Sequence, residues 1–269
     1  MPSMATTVPD PLMTPEAPLP VLATVRRFEA AGFRAWPAAS AHYDGAWLMR
    51  LTPGHPAKRL NSINPLDPGD HFDISSRIEK ARSSFAEIDQ PLTFRISPLA
   101  GDKITAYLDA QGWQAFDESL VMHCDLEGSV VEHALDQIPL KDVERFTQSL
   151  LSINEMPRSL MAALGGVIQA VPAEAGLFVL ESDAKAVAAT VCVHDGDLAG
   201  LFEVATAPSE RGKGFGRRIV TSALKWALGR GARQAWLQVG AENEPAVNLY
   251  RSLGFSELYR YHYRRPPTP

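Results

Sequence analysis

Apolar side chains recur along this chain at two spacings, every three to four residues and every second residue, and the switches between them outline the elements. The stretch 21–33, VLATVRRFEAAGF, carries the helical spacing. A strand is predicted at 45–52, a helix at 71–88, a strand at 92–97, a helix at 102–113 and a strand at 118–126. The polar break Glu127-Gly-Ser129 is the candidate boundary between two units. Helices follow at 140–152 and 158–168, then strands at 176–182 and 186–195 joined by the polar turn Ser182-Asp183-Ala184-Lys185. A third strand covers 198–207, a helix 214–231 ends on Gly231, and a strand at 234–239, a helix at 244–254 and strand material at 255–263 complete the pattern.

This order predicts an α/β chain of the α+β kind, with a central, mixed, mostly antiparallel sheet and helices on both faces. Residues 1–20 hold six prolines and read as an extended or disordered, flexible lead-in. The expected units are 21–128 and 129–269. They share a pattern: shifted by 142 residues, FRISPLAGDKITAYLDAQGW (94–113) lies without gaps on WLQVGAENEPAVNLYRSLGF (236–255). Aromatic meets aromatic at Phe94/Trp236 and Trp113/Phe255, and Gly112 meets Gly254, which suggests a tandem repeat of one fold.

Composition narrows the function classes. The 269 residues are 45% hydrophobic and 21% charged, the balance of a globular protein with a core, and the net charge of -5 does not favour a nucleic-acid binder. No apolar run reaches the length of a membrane span, and the N-terminus lacks the pattern of a signal peptide, so a cytoplasmic protein is expected. The two cysteines, Cys124 and Cys192, lie far apart and read as buried thiols. The seven histidines show no metal-binding spacing, so no metal is expected.

The candidate chemistry centres on Ser209-Glu-Arg-Gly-Lys-Gly-Phe-Gly-Arg-Arg218, which follows a strand and opens a helix. Free N–H groups and the positive end of the helix dipole make such a turn a phosphate site. A P-loop requires Lys-Ser/Thr after its last glycine, whereas Arg217 and Arg218 follow Gly216. A dinucleotide fingerprint requires G-x-G-x-x-G and an acidic residue further on, but no Asp or Glu falls between Glu210 and Glu242. What survives is R-x-x-G-x-G, formed by Arg211, Gly214 and Gly216. The segment LFEVATAPSERGKGFGRRIVTSAL resembles the acetyl-coenzyme A motif of the GCN5-related N-acetyltransferases. The downstream NEPAVNLYRSLGF (243–255) fits that family's N-x-x-A-x-x-L-Y-x-x-x-G-F at Asn243, Ala246, Leu249, Tyr250, Gly254 and Phe255. The resemblance covers roughly residues 140–263.

The resemblance implies an acetyl-coenzyme A-dependent N-acetyltransferase whose acceptor is an amine on a small molecule or peptide. It implies a cofactor cradle at Arg211, Gly212, Lys213, Gly214, Phe215, Gly216 and Arg217, with strand residues Val204, Ala205 and Thr206 along the pantetheine arm. Asn243 and Ala246 adjoin the cofactor, Asn243 by contact or by ordering its loop. Tyr250 takes the place of the general acid, the alternative being a core aromatic. Glu203 is either a base for the amine or an ordinary strand carboxylate. In the repeat Leu108 lies opposite Tyr250 and Gly101 opposite Asn243, so the first copy is read as degenerate. A tandem acyltransferase of specialised thiol biosynthesis, like mycothiol synthase, and a non-catalytic acetyl-coenzyme A-binding module are the alternatives. Whether the chain acts as a monomer or a homodimer is left open.

Overall fold

Reading inward from either edge of the sheet gives the same sequence of pairings. The computed structural model describes residues 19–126 and 131–267. The first half contributes α1 (Leu19–Ala35), β1 (Ser40–Asp44), β2 (Trp47–Leu51), β3 (Ser62–Pro65), α2 (Ile74–Glu87), β4 (Phe94–Ile96), α3 (Gly101–Ala110) and β5 (Gln114–Asp125). The second contributes α4 (Val143–Ile153), α5 (Met161–Gln169), β6 (Glu174–Ser182), β7 (Lys185–Asp195), β8 (Leu198–Thr206), α6 (Phe215–Leu228), β9 (Gln234–Gly240), α7 (Glu244–Arg251) and β10 (Ser256–Arg265). The ten strands form one sheet in the order β1-β2-β3-β4-β10-β5-β9-β8-β7-β6. All neighbours are antiparallel except β3–β4 and β8–β9, which occupy equivalent places on the two sides.

The offset of 142 residues carries into this topology. Strand β4 matches β9, α3 matches α7, and β5 matches β10. Gly112 and Gly254, aligned by sequence, both take a left-handed turn after their helices, with φ of 73° and 88°. Each half nevertheless gives its last strand to the other. Strand β5 pairs with β9, and β10 pairs with β4, so the two final strands lie side by side at the centre.

Alternating side chains send the strands' apolar residues to both faces. Helices α1, α4 and α5 pack on one face, where Phe28, Phe146 and Leu164 meet Val191, Phe202 and Trp236. On the other face α6 and α7 cover Met122, Cys192 and Leu237, while α2 and α3 close a separate core over Trp47, Ile63 and Phe94. The two cysteines are free and buried.

Two strands escape the periodic pattern. Strand β1 is an exposed polar edge, and β3 is four fully buried residues ending in a proline, so neither alternates. The helix expected at 158–168 begins with a 3-10 turn, Arg158–Leu160, before α5. The turn at 182–185 closes a two-residue hairpin with positive φ at Asp183 and Ala184, which suits the twist of β6 and β7. Of the expected lead-in, Leu19 and Pro20 already belong to α1, where a proline's missing N–H costs no helical bond. The rest of it and the boundary at 127–129 lie outside the described residues.

Candidate active site

The site begins with a fault in β8. Phe202 pairs with Val191 and Ala205 with Ala189, so Glu203 and Val204 together face the single residue Thr190. That extra residue is a β-bulge, which bends the strand and frees backbone groups from the ladder. The Thr190 hydroxyl, fully buried, donates to the Phe202 carbonyl at 3.0 Å, and Glu203 takes a φ of 51°, rare for a residue with a side chain. Beside the bulge, the parallel pairing of β8 with β9 stops at Leu201 and Leu237. Both strands run on, to Thr206 and Gly240, with a gap opening between them.

The glycine turn stands at the mouth of this gap. Gly214 is the N-cap of α6 with φ 83°, a left-handed conformation that glycine adopts without the steric cost of a Cβ. The helical ladder starts with Arg218 N–H donating to the Gly214 carbonyl at 3.1 Å, which leaves the N–H groups of Phe215, Gly216 and Arg217 ahead of it. Across the gap, Asn243 caps α7, its side-chain oxygen accepting the Ala246 N–H at 3.3 Å. Arg217 ties the two helices together by donating to the Ser252 hydroxyl at 2.5 Å.

Between them lies a cleft of about 730 Å³, within the range of cofactor sites. Of the residues singled out from sequence, Val204, Ala205, Thr206, Arg211, Gly212, Gly214, Phe215, Gly216, Arg217, Asn243, Ala246 and Tyr250 line it. Lys213 does not; its ammonium is held by Glu210 at 3.0 Å along the outside of the turn. Glu203 is also outside the cleft, its carboxylate paired with Arg59 of the first half. Asn154, Glu210, Pro245, Asn248 and Ser252 line the cleft without having been singled out. Asn248 and Ser252 sit at variable positions of the second motif, and Asn154, at the end of α4, carries no motif at all.

Tyr250 is 5% exposed and lies against Phe255, ring centres 5.9 Å apart. Burial pushes its phenol up to about 12, so the proton stays on oxygen throughout the physiological range. Among the described residues, no group of three or more His, Cys, Asp or Glu is placed to hold a metal. No helix among them is long and apolar enough to cross a membrane.

A bulged strand, a splayed parallel pair and a glycine turn at a helix start are what the resemblance to the GCN5-related N-acetyltransferases leads one to expect. A family model described as "Probable histone acetyltransferase Rv0428c C-terminal" matches residues 22–264, and the chain belongs to that family. It is 25% identical over 256 residues to the uncharacterized N-acetyltransferase YobR of Bacillus subtilis, spanning 89% of this chain and 98% of that protein. Its fold resembles a GCN5-related N-acetyltransferase from Kribbella flavida, with a TM-score of 0.63 at 20% identity, over 91% of this chain and 96% of the other. It also resembles a tandem GNAT protein from the clavulanic acid biosynthesis pathway, with a TM-score of 0.58 at 14% identity, over 95% and 91% of the two chains. The protein is therefore an N-acetyltransferase with a mixed α/β fold of that kind.

Proposed function

We propose that the protein transfers the acetyl group of acetyl-coenzyme A to a primary amine of a small molecule or peptide, by direct attack of the amine on the bound thioester. The unit 129–269 carries the reaction, and 21–128 is a copy of the fold without a cofactor site of its own. The continuous cleft from the bulge of β8 to the start of α6 supports this reading best. Its outer end offers free N–H groups with Arg211 and Arg217, suited to a pyrophosphate. Its inner end, with Val204, Ala246 and Leu249, is apolar and suits a pantetheine arm.

The nitrogen lone pair adds to the thioester carbon, the carbon–sulfur bond breaks, and the Tyr250 phenol protonates the departing thiolate. A thiol in water has a pKa near 8.5, well below that of this phenol. Burial raises a thiol as it raises a phenol, the direction seen at Cys192, so a desolvated thiolate accepts a proton more readily than one in water. The proton lost by the amine passes to the Glu203 carboxylate or to water, and exchange with solvent restores both side chains.

The test is a calorimetric titration with acetyl-coenzyme A, followed by thiol release across a panel of amines, amino acids and peptides. Micromolar binding with release to a subset of amines is expected. Absence of binding would overturn the cofactor assignment, and binding with no release to any amine would overturn the acceptor assignment.

A further inference from the structure

The loop between β2 and β3 reaches from the first half to the bulge of β8. It is wired internally: Thr52 N–H donates to the Asn61 side chain at 2.7 Å, Asn61 donates to the His55 carbonyl at 2.7 Å, and Ala57 N–H donates to His55 Nδ1 at 3.1 Å. Buried Arg50 donates to the Arg59 carbonyl at 2.7 Å, which fixes the backbone of the loop's tip. The Arg59 guanidinium lies 5.2 Å from the Trp36 ring centre and 5.9 Å from that of Phe202, two rings stacked 4.9 Å apart. From there it reaches the Glu203 carboxylate, the side chains being 25% and 21% exposed.

His55 is 8% exposed in the same cluster and is held below its ordinary pKa, first by burial and then by Arg59, with Glu203 acting the other way. A second cavity of about 360 Å³ borders this cluster, lined by Arg59, Gln238, Glu242, Tyr261 and Tyr263 among others. Val204 of the bulge lines the first cavity, and Arg59, the ion-pair partner of Glu203, lines the second.

Stability alone does not account for this arrangement. A left-handed φ at Glu203 costs about 1–2 kcal/mol, and desolvation cancels much of the attraction in a largely buried ion pair. Two costs of this kind at one residue, next to the gap between β8 and β9, are characteristic of a functional position.

We infer that Arg59 is a positioning residue for acetyl transfer, holding the Glu203 carboxylate on the acceptor side of the bulge so that the first half completes the site of the second. This rests on the proposed acetyl-coenzyme A site and extends it to the proton that leaves the amine. As the nitrogen–carbon bond forms and the carbon–sulfur bond breaks, that proton passes to Glu203, while Tyr250 supplies the proton on sulfur.

The experiment compares the full-length wild type with Arg59→Ala, Arg59→Lys, Glu203→Gln and the Ala/Gln double variant. Each is measured for acetyl-coenzyme A binding, thermal unfolding and thiol release to n-propylamine. Arg59→Ala is expected to lower kcat/KM for the amine about tenfold, with most of it restored by Arg59→Lys and the acetyl-coenzyme A Kd changed by less than about twofold. In the Glu203→Gln background, Arg59→Ala should cost nothing further, because it acts through the missing carboxylate. Unchanged kcat/KM in Arg59→Ala would overturn the inference, as would losses that multiply in the double variant. If the wild type binds acetyl-coenzyme A but leaves n-propylamine untouched, carbodiimide labelling of Glu203 decides. Several-fold more labelling in Arg59→Ala supports the inference, and equal labelling overturns it. Failure of the wild type to bind acetyl-coenzyme A is a separate result, which removes the cofactor site itself.

Discussion

Two strand-to-helix turns occupy equivalent places in the halves of this protein, 66–73 before α2 and 207–214 before α6, and they have opposite chemistry. Both deliver a left-handed N-cap, Asp73 at φ 50° and Gly214 at φ 83°. The first turn carries Asp67, Asp70 and Asp73, whereas the second carries Arg211 and a Lys213 paired with Glu210. Asp70 accepts the Ala46 N–H at 2.6 Å and an Arg77 N–H at 3.0 Å, and Arg77 lies 3.9 Å over the Trp47 ring. A side chain of the protein thus supplies the cation, and no anion-binding surface is left. The gap is also shut, since a Cβ at Gly101 would lie 2.8 Å from Pro68 of that turn. The matching space in the second half is the open cleft of about 730 Å³. The same backbone path is therefore closed in the first half, by the Asp70–Arg77 pair and one close contact, and left open in the second.

The comparison breaks most visibly at Tyr250, which the first half replaces with Leu108. Tyr250→Phe is expected to lower kcat about a thousandfold, within the usual reach of a general acid, with acetyl-coenzyme A affinity changed less than about twofold. Turnover at the wild-type rate would remove the acid role. Because burial holds the wild-type phenol near 12, its rate should not fall as the pH rises through about 10, where an exposed tyrosine titrates.

Gly214→Asp would give the second turn the acidic cap of the first. Aspartate tolerates the left-handed conformation, so folding should persist while acetyl-coenzyme A binding weakens roughly a hundredfold through repulsion of about 3 kcal/mol. Calorimetry reads this directly, and wild-type affinity would refute the phosphate cradle. The reciprocal Asp73→Gly should create no second site, because Pro68 still closes the gap against Gly101.

Smaller effects test the closed first turn. Arg77, 8% exposed, answers Asp70 and Asp44, so Arg77→Ala should destabilise the fold by roughly 2 kcal/mol in denaturant unfolding while leaving acetyl-coenzyme A affinity unchanged. Asp70 is the gentlest probe. Burial opposes its ionisation, but hydrogen bonds from Arg77 and Ala46 outweigh this and lower its pKa. Its contribution is thus present above the ordinary carboxylate value of about 4 and is lost as the pH falls through the lower folded one. Asp70→Asn should flatten the acid limb of the stability curve, and an unchanged limb would show that the hydrogen bonds carry no linkage.

What the sequence disclosed and what it hid divide along chain distance. The turn 209–218 and the helix with Tyr250 are contiguous strings, so their residues could be grouped as candidates before any fold was known, and most of them line one cleft. The repeat was legible for the same reason, as one gapless shift. Glu203 and Arg59 are separated by 144 positions, and no local pattern joins them. The bulge was equally silent: 198–207 reads as an unbroken strand, and Thr190, whose hydroxyl satisfies the Phe202 carbonyl, looks like any β-branched strand residue. Strands β1 and β3 were missed because one is exposed along almost its whole length and the other buried throughout, so neither shows a period of two.

The exchange of final strands has a consequence for synthesis on the ribosome. Strand β10 pairs with β4, so the sheet stays in two pieces until residue 265 has cleared the exit tunnel. Until then the first half offers β4 and β5 with open edges, and β5 can meet β9 only after the second half has begun to fold. Vectorial folding of one unit followed by the other, the usual course for domains in tandem, is closed to this chain. Its two halves share a single closing step, in which β10 joins the two parts of the sheet.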